Sequence, residues 1–247
     1  MGTIIAVTAA AGMGGTGLGG LAAYLFRRGT DRTVSVLLSF AAGMMLAVVC
    51  ADLLTDAIQA GPGLSALPAA SASVLAGCGG IWLLEELVSG LQAGAKRGGL
   101  FLAGVVMVAA IALHNLPEGM VIGASYAADL AEAGQDGRMM ALVIGLHNIP
   151  EGMAVAVPLA AGGASRGRAV LTTAAAGAPT VLGAVLGFCL GTMGPGLQML
   201  TLGGASGAML YVVFGELLPE SFRLCRSPAP VMAAVLGVLT GMGVVLG

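Results

Sequence analysis

The heptapeptide HNLPEGM at 114–120 recurs as HNIPEGM at 147–153, each time within an otherwise apolar stretch. A carboxylate in hydrocarbon is costly unless a partner compensates it. None of the apolar stretches contains Lys or Arg, so the counter-charge for Glu118 and Glu151 must come from outside the chain. A bound dication is the simplest supplier. The pattern reads as a membrane carrier of divalent metal ions.

Composition agrees with a bilayer setting. Apolar residues make up 57% of the 247 residues and charged residues 9%, with mean hydropathy +0.98. A soluble domain carries about 25% charged residues, so the chain reads as an all-α integral membrane protein. Long continuous apolar stretches argue against a β-barrel, whose strands alternate. Abundant Gly and Ala suit closely packed membrane helices, and such small-residue faces are compatible with a homodimer. No basic run or aromatic platform points to nucleic acid. The apolar N-terminus lacks a basic leader region and is read as the first span. Cys50, Cys78 and Cys189 lie in apolar segments, where they read as small core residues.

Apolar runs near 20 residues, broken at polar clusters, give eight helices at roughly 3–26, 34–57, 68–91, 100–127, 139–161, 169–191, 199–222 and 229–247. Together they form a single transmembrane domain over 1–247. Alternate loops hold Arg27, Arg28 and Arg32, Lys96 and Arg97, Arg166 and Arg168, and Arg223 and Arg226. The opposite side holds only Arg138. By the positive-inside rule both termini face away from the cytoplasm. Asp31, Asp129, Glu132 and Asp136 read as loop residues; the last three, on the outer side, would concentrate cations. The other eight acids fall within apolar spans. Of these, Glu220 lies three residues from Arg223 and reads as interfacial.

The chain also repeats itself. A shift of 33 residues superposes the two heptapeptides, and a shift of 164 aligns 41–57 with 205–221. The second alignment pairs Met45 with Met209, Asp52 with Glu216 and Asp56 with Glu220. Given the predicted orientation, the paired helices run in opposite directions. Inverted repeats of this kind bury a site near the midplane in many transporters.

Within a helix, His114, Asn115 and Glu118 share one face, and His147, Asn148 and Glu151 repeat that geometry on the next helix. Facing each other, the two helices offer imidazoles, carboxylates and amide oxygens. This mixed set suits Zn²⁺, Fe²⁺, Mn²⁺, Co²⁺, Ni²⁺ or Cd²⁺ and is too rich in nitrogen for Ca²⁺ or Mg²⁺. Pro117 and Pro150 each free a carbonyl one turn back and kink the helix. Met45, Asp52 and Glu216 are candidates for the transport pathway.

These residues resemble the ZIP (Zrt/Irt-like) family of metal transporters, in its short bacterial form. The resemblance spans the whole chain and includes GAMLYVVFGELLPES at 207–221. It implies two three-helix repeats around a central helix pair, a 3+2+3 arrangement; the compact size and the lack of a signal peptide point to a bacterial inner membrane. It also implies a binuclear site, with His114, Glu118, His147 and Glu151 as the first position. Asn115 and Asn148, with the two glutamates bridging, would form the second. Relatives commonly carry Glu-Pro in the sixth helix, where this chain has Ala178-Pro179, so the second ion would lose a carboxylate. The expected substrate is zinc or another transition-metal dication moving toward the cytoplasm, with no organic cofactor. An intramembrane metal-dependent enzyme is the alternative; the sequence has no HExxH and no Ser or Cys adjacent to either histidine.

Overall fold

The computed structural model describes residues 1–25, 31–61, 63–92, 99–132, 136–161 and 164–246. Arg27, Arg28, Lys96 and Arg97 lie outside the described residues, as do the side chains of Glu85, His114, Glu132 and Asp136. Among the described residues the chain forms eight helical rods. The first, α1 (2–25), contains a π turn at Ala10–Gly14, and α2 (Asp31–Ala60) contains another at Val49–Leu53. A short 3₁₀ turn leads into α3 (Leu67–Gln92), followed by α4 (Gly99–Glu132) and α5 (Asp136–Ala161). The sixth rod, α6 (Arg166–Gly191), breaks after Ala176 and restarts at Pro179. Then come α7 (195–224), with a π turn at Val213–Leu217, and α8 (Pro228–Leu246).

Four of these rods are long and apolar enough to cross a membrane among the described residues: Gly2–Ala23, Asp31–Ala60, Arg166–Gly191 and Pro195–Leu224. Leu67–Leu83 and Pro228–Gly243 are shorter apolar helices. Helix α4 has 34 residues, roughly 51 Å at 1.5 Å per residue, so it exceeds a hydrocarbon core about 30 Å thick. The surface is inside-out relative to a soluble protein. Leu75, Leu171 and Trp82 project outward, whereas Thr8, Thr16, Ser39 and Ser206 are buried. Several buried hydroxyls donate to the carbonyl one turn earlier, as Thr8 does to Ile4 (2.7 Å) and Ser206 to Leu202 (2.7 Å). That bond satisfies a polar group where no water is at hand.

Proline starts α7, α8 and the second half of α6, where its missing N–H is no loss. Gly194, between α6 and α7, has φ +127, a backbone conformation that side-chain-bearing residues rarely adopt. The four acids read as loop residues all fall in helix ends instead. Asp31 opens α2, Asp136 opens α5, Glu132 closes α4, and Asp129 lies in its last turn. An acid favours a helix start because it faces the positive end of the dipole. Asp129 Oδ2 accepts the Gly137 N–H at 3.2 Å, satisfying a donor that the first turn of α5 leaves open. The cysteines also differ from expectation. Cys78 is half-buried and donates to the Gly207 carbonyl (2.9 Å), but Cys50 and Cys189 face outward.

Packing follows a two-fold pattern. Helix α1 packs along α5 as α6 packs along α4, and α2 packs along α8 as α7 packs along α3. Glycines set these contacts: Gly119 lies against the Thr180 carbonyl and Gly152 against the Thr16 carbonyl. The residues of each pair differ by the sequence shifts of 33 and 164. The π turns of α2 and α7 also coincide under the 164 shift, 49–53 with 213–217. These two rods run antiparallel. Ser221, near the end of α7, meets Ser35 and Ser39, near the start of α2, in a buried hydroxyl cluster (2.5–3.0 Å). The main apolar core fills the space between α2, α4, α5 and α7, with Met45, Val49, Ile122, Ile144 and Met209 at its centre.

Candidate functional site

The two heptapeptides meet where α4 and α5 cross the core. Asn115, Glu118, Asn148 and Glu151 are 0% exposed and His147 is 1% exposed. His147 Nε2 lies 3.0 Å from Glu118 Oε1. One ligand atom from each of Glu118, His147 and Glu151 lies within 4.8 Å of the others, the group among the described residues suited to a metal ion. Tetrahedral N/O ligands about 2.0–2.2 Å from zinc stand roughly 3.3 Å apart, so a shift on the order of 1 Å closes the difference. Glu118 Oε2, His147 Nδ1 and Asn148 Oδ1 are buried and take part in no hydrogen bond. Buried polar atoms are nearly always satisfied, so three such atoms in one cluster set this place apart from the rest of the core.

The neighbouring rods explain how the asparagines are aimed. Pro179 has no N–H, and the break before it leads Thr180 N–H to bond Gly177 O (3.2 Å) rather than continue the α pattern. The Ala176 carbonyl is thereby free to accept Asn115 Nδ2 at 3.2 Å. On the other side, the π turn of α1 presents the Ala11 carbonyl to Asn148 Nδ2 at 3.3 Å. A π turn carries one extra residue per turn, which displaces carbonyls from the α ladder. Both amides therefore anchor their nitrogens in broken backbone. Thr180, which the motif does not contain, donates to Asn115 Oδ1 at 3.0 Å. Its signal in the sequence was the 164 shift, which pairs Thr180 with Thr16.

Asn115, Glu118, His147, Asn148 and Glu151 are thus brought together, while the side chain of His114 lies outside the described residues. Met45 is buried in the apolar core. Asp52 and Glu216 are half-buried, each within a π turn, and are not members of the Glu118–His147–Glu151 group. Glu220 pairs with Arg223 at 2.5–2.6 Å near the end of α7.

Comparison with known proteins adds an independent line. The family model described as ZIP Zinc transporter matches residues 90–247. A zinc transporter ZupT of Chlorobium limicola is 32% identical over 97% of this chain and 94% of its own length. Those of Chlorobium luteolum and Corynebacterium efficiens are 33% and 30% identical, each over 93% of this chain and 90% of their own. ZIP zinc transporters are transporters and not enzymes, which sets aside the metal-dependent enzyme. The paired motif, the helical architecture and these matches across nearly its whole length make this chain a member of the ZIP zinc transporter family.

Proposed function

We propose that the chain carries transition-metal dications, zinc foremost and also iron, manganese, cadmium and cobalt, across a bacterial inner membrane toward the cytoplasm. The observation that carries this reading is the buried Glu118–His147–Glu151 cluster. Its two carboxylates balance one dication, and none of the apolar stretches supplies Lys or Arg to compete for them. In this reading the ion sheds water between α4 and α5 and gains carboxylate, imidazole and amide donors in its place. His114 and Asn148 complete the donor set, Asn115 lines the same site, and Met45, Asp52 and Glu216 flank the route. The whole of 1–247 acts as one transport domain of eight spans, arranged 3+2+3 as inverted repeats with both termini on the outer side. The repeated contacts of α1 with α5 and of α6 with α4 support that arrangement. The naming of the relatives as zinc transporters supports the cargo.

In this reading the ion enters from the outer side. A cavity of about 520 Å³ opens between the ends of α2, α4 and α6 and the start of α7, lined in part by Gln59, Thr192 and Gln198. Neutral polar groups there can exchange with the hydration shell of an ion without trapping it. Radiometal uptake into proteoliposomes tests the proposal. Glu118→Ala and Glu151→Ala are each expected to abolish uptake while leaving membrane insertion intact. Wild-type uptake by the double variant would overturn it.

A further inference from the structure

The two halves of the site correspond residue by residue, yet one hydroxyl departs from the symmetry. Under the shifts of 164 and 33, Thr16 matches Thr180, Gly12 matches Ala176 and Asn148 matches Asn115. The threonine carbonyls obey this relation, each lying against the glycine of the opposed motif. The hydroxyls do not. Thr16 Oγ1 donates to the Gly12 carbonyl at 2.9 Å, whereas Thr180 Oγ1 donates to Asn115 Oδ1 at 3.0 Å.

The backbone explains the difference. In α1 the π turn offers Asn148 the Ala11 carbonyl, so the Gly12 carbonyl remains for Thr16. In α6 the break offers Asn115 the Ala176 carbonyl, the counterpart of Gly12. The Thr180 hydroxyl turns instead onto the amide oxygen of Asn115. That oxygen also accepts from Asn148 Nδ2 at 3.5 Å. A carbonyl oxygen has two lone pairs; the Thr180 hydroxyl takes one at close range, and the Asn148 amide faces the other at the outer limit of a hydrogen bond. Asn148 Oδ1, equally buried, accepts no hydrogen bond.

Resting on the carrier reading above, we propose that Thr180 is a positioning residue that withholds the Asn115 amide oxygen from the ion and leaves Asn148 as the amide ligand. The site is then one-sided: the ion leans toward α5, with Asn115 serving to orient Asn148.

Calorimetric titration of the purified full-length protein with Cd²⁺ tests this, alongside the KM and maximal rate of Cd²⁺ uptake. Asn148→Ala is expected to raise the Cd²⁺ Kd about tenfold, in the range seen when groups that shape a metal site are removed. Asn115→Ala is expected to raise it by a clearly smaller factor, because the oxygen it removes is already held by Thr180. In a Thr180→Val background the Asn115 oxygen is released, and the Asn148→Ala penalty should fall well below about tenfold, whereas Thr180→Ser should restore it in full. KM should follow the same pattern, with smaller changes in maximal rate. Wild-type crystals soaked in Cd²⁺ give a reading independent of how the variants fold: the anomalous peak should lie at bonding distance from Asn148 Oδ1 and not from Asn115 Oδ1. Equal penalties at 115 and 148, unchanged by Thr180→Val, would overturn the proposal, as would a peak bonded to Asn115 Oδ1. Wild-type protein that binds no Cd²⁺ would overturn the carrier reading and this one with it.

Discussion

The main-chain carbonyl of Thr180 occupies the space that a Cβ at position 119 would require, so Gly119 is one of the points where α4 and α6 touch backbone to backbone. Adding one methyl there must push the two rods apart. Overpacking of this kind costs about 1–3 kcal/mol. Gly119→Ala should lower the unfolding temperature of the detergent-solubilised protein and also weaken uptake, because the same movement displaces Asn115 and Glu118. Gly79→Ala is the control: no neighbour lies within 4 Å of a Cβ built there, and its unfolding temperature should not fall.

Zinc should stabilise the folded protein through the same cluster. At a free concentration 100 times Kd, a ligand specific for the native state adds about 2.7 kcal/mol. The unfolding temperature of wild-type protein should therefore rise as zinc is added. In Glu118→Gln that rise should largely vanish, because a neutral amide replaces a carboxylate whose Oε2 has no hydrogen-bond partner. A full zinc-induced rise in Glu118→Gln would place the ion elsewhere.

The serine cluster joins α2 to α7 at one end only. Ser221 Oγ donates to the Ser35 carbonyl at 2.7 Å and lies 2.5 Å from Ser39 Oγ. The positions matching Ser35, Ser39 and Ser221 under the 164 shift are Met199, Gly203 and Ala57, which carry no hydroxyl. Hydrogen bonds between membrane helices contribute about 0.6–2 kcal/mol each. Ser221→Ala should cost about 1 kcal/mol or more in reversible unfolding, and its effect should be non-additive with Ser35→Ala. Strict additivity of the two would show that the cluster does not act as a unit.

Arg223 makes the opposite kind of contact. It forms a two-toothed pair with Glu220, but the Arg223 side chain is 71% exposed. Pairs in contact with water contribute about 0–1 kcal/mol, weakened further by salt. Arg223→Gln should change stability by less than about 0.5 kcal/mol, measured at low and high ionic strength.

Much of the site was legible because its residues violate their surroundings. Glutamates and histidines in apolar sequence, written twice with a proline at the same offset, announced a shared centre before any geometry was known. The meeting of Asn115, Glu118, His147, Asn148 and Glu151 follows from that pattern. Thr180 was not legible in the same way, since threonine is ordinary in a membrane helix and its role depends on a carbonyl that Asn115 has already taken. The π turn at Ala10–Gly14 was equally hidden: AAGMG carries no proline and no residue type that favours one helical pitch over another. The acids at Asp129, Glu132 and Asp136 read as loop because charge breaks an apolar run, but charge does not break a helix: α4 runs to Glu132 and α5 starts at Asp136.

The wide turns at Val49–Leu53 and Val213–Leu217 each take up about one residue more than an ordinary helical turn. Deleting one residue inside either would let an ordinary helix form there and leave the rod beyond it facing as it does now. Deleting one elsewhere in the same rod, with the wide turn kept, would swing everything beyond the deletion by about 100° about the axis, the angle one residue subtends. Ala57, now sealed inside, and Asp56 beside it would then exchange surroundings without any change in side-chain chemistry. The wide turns are therefore the points along these rods where chain length can change at least cost.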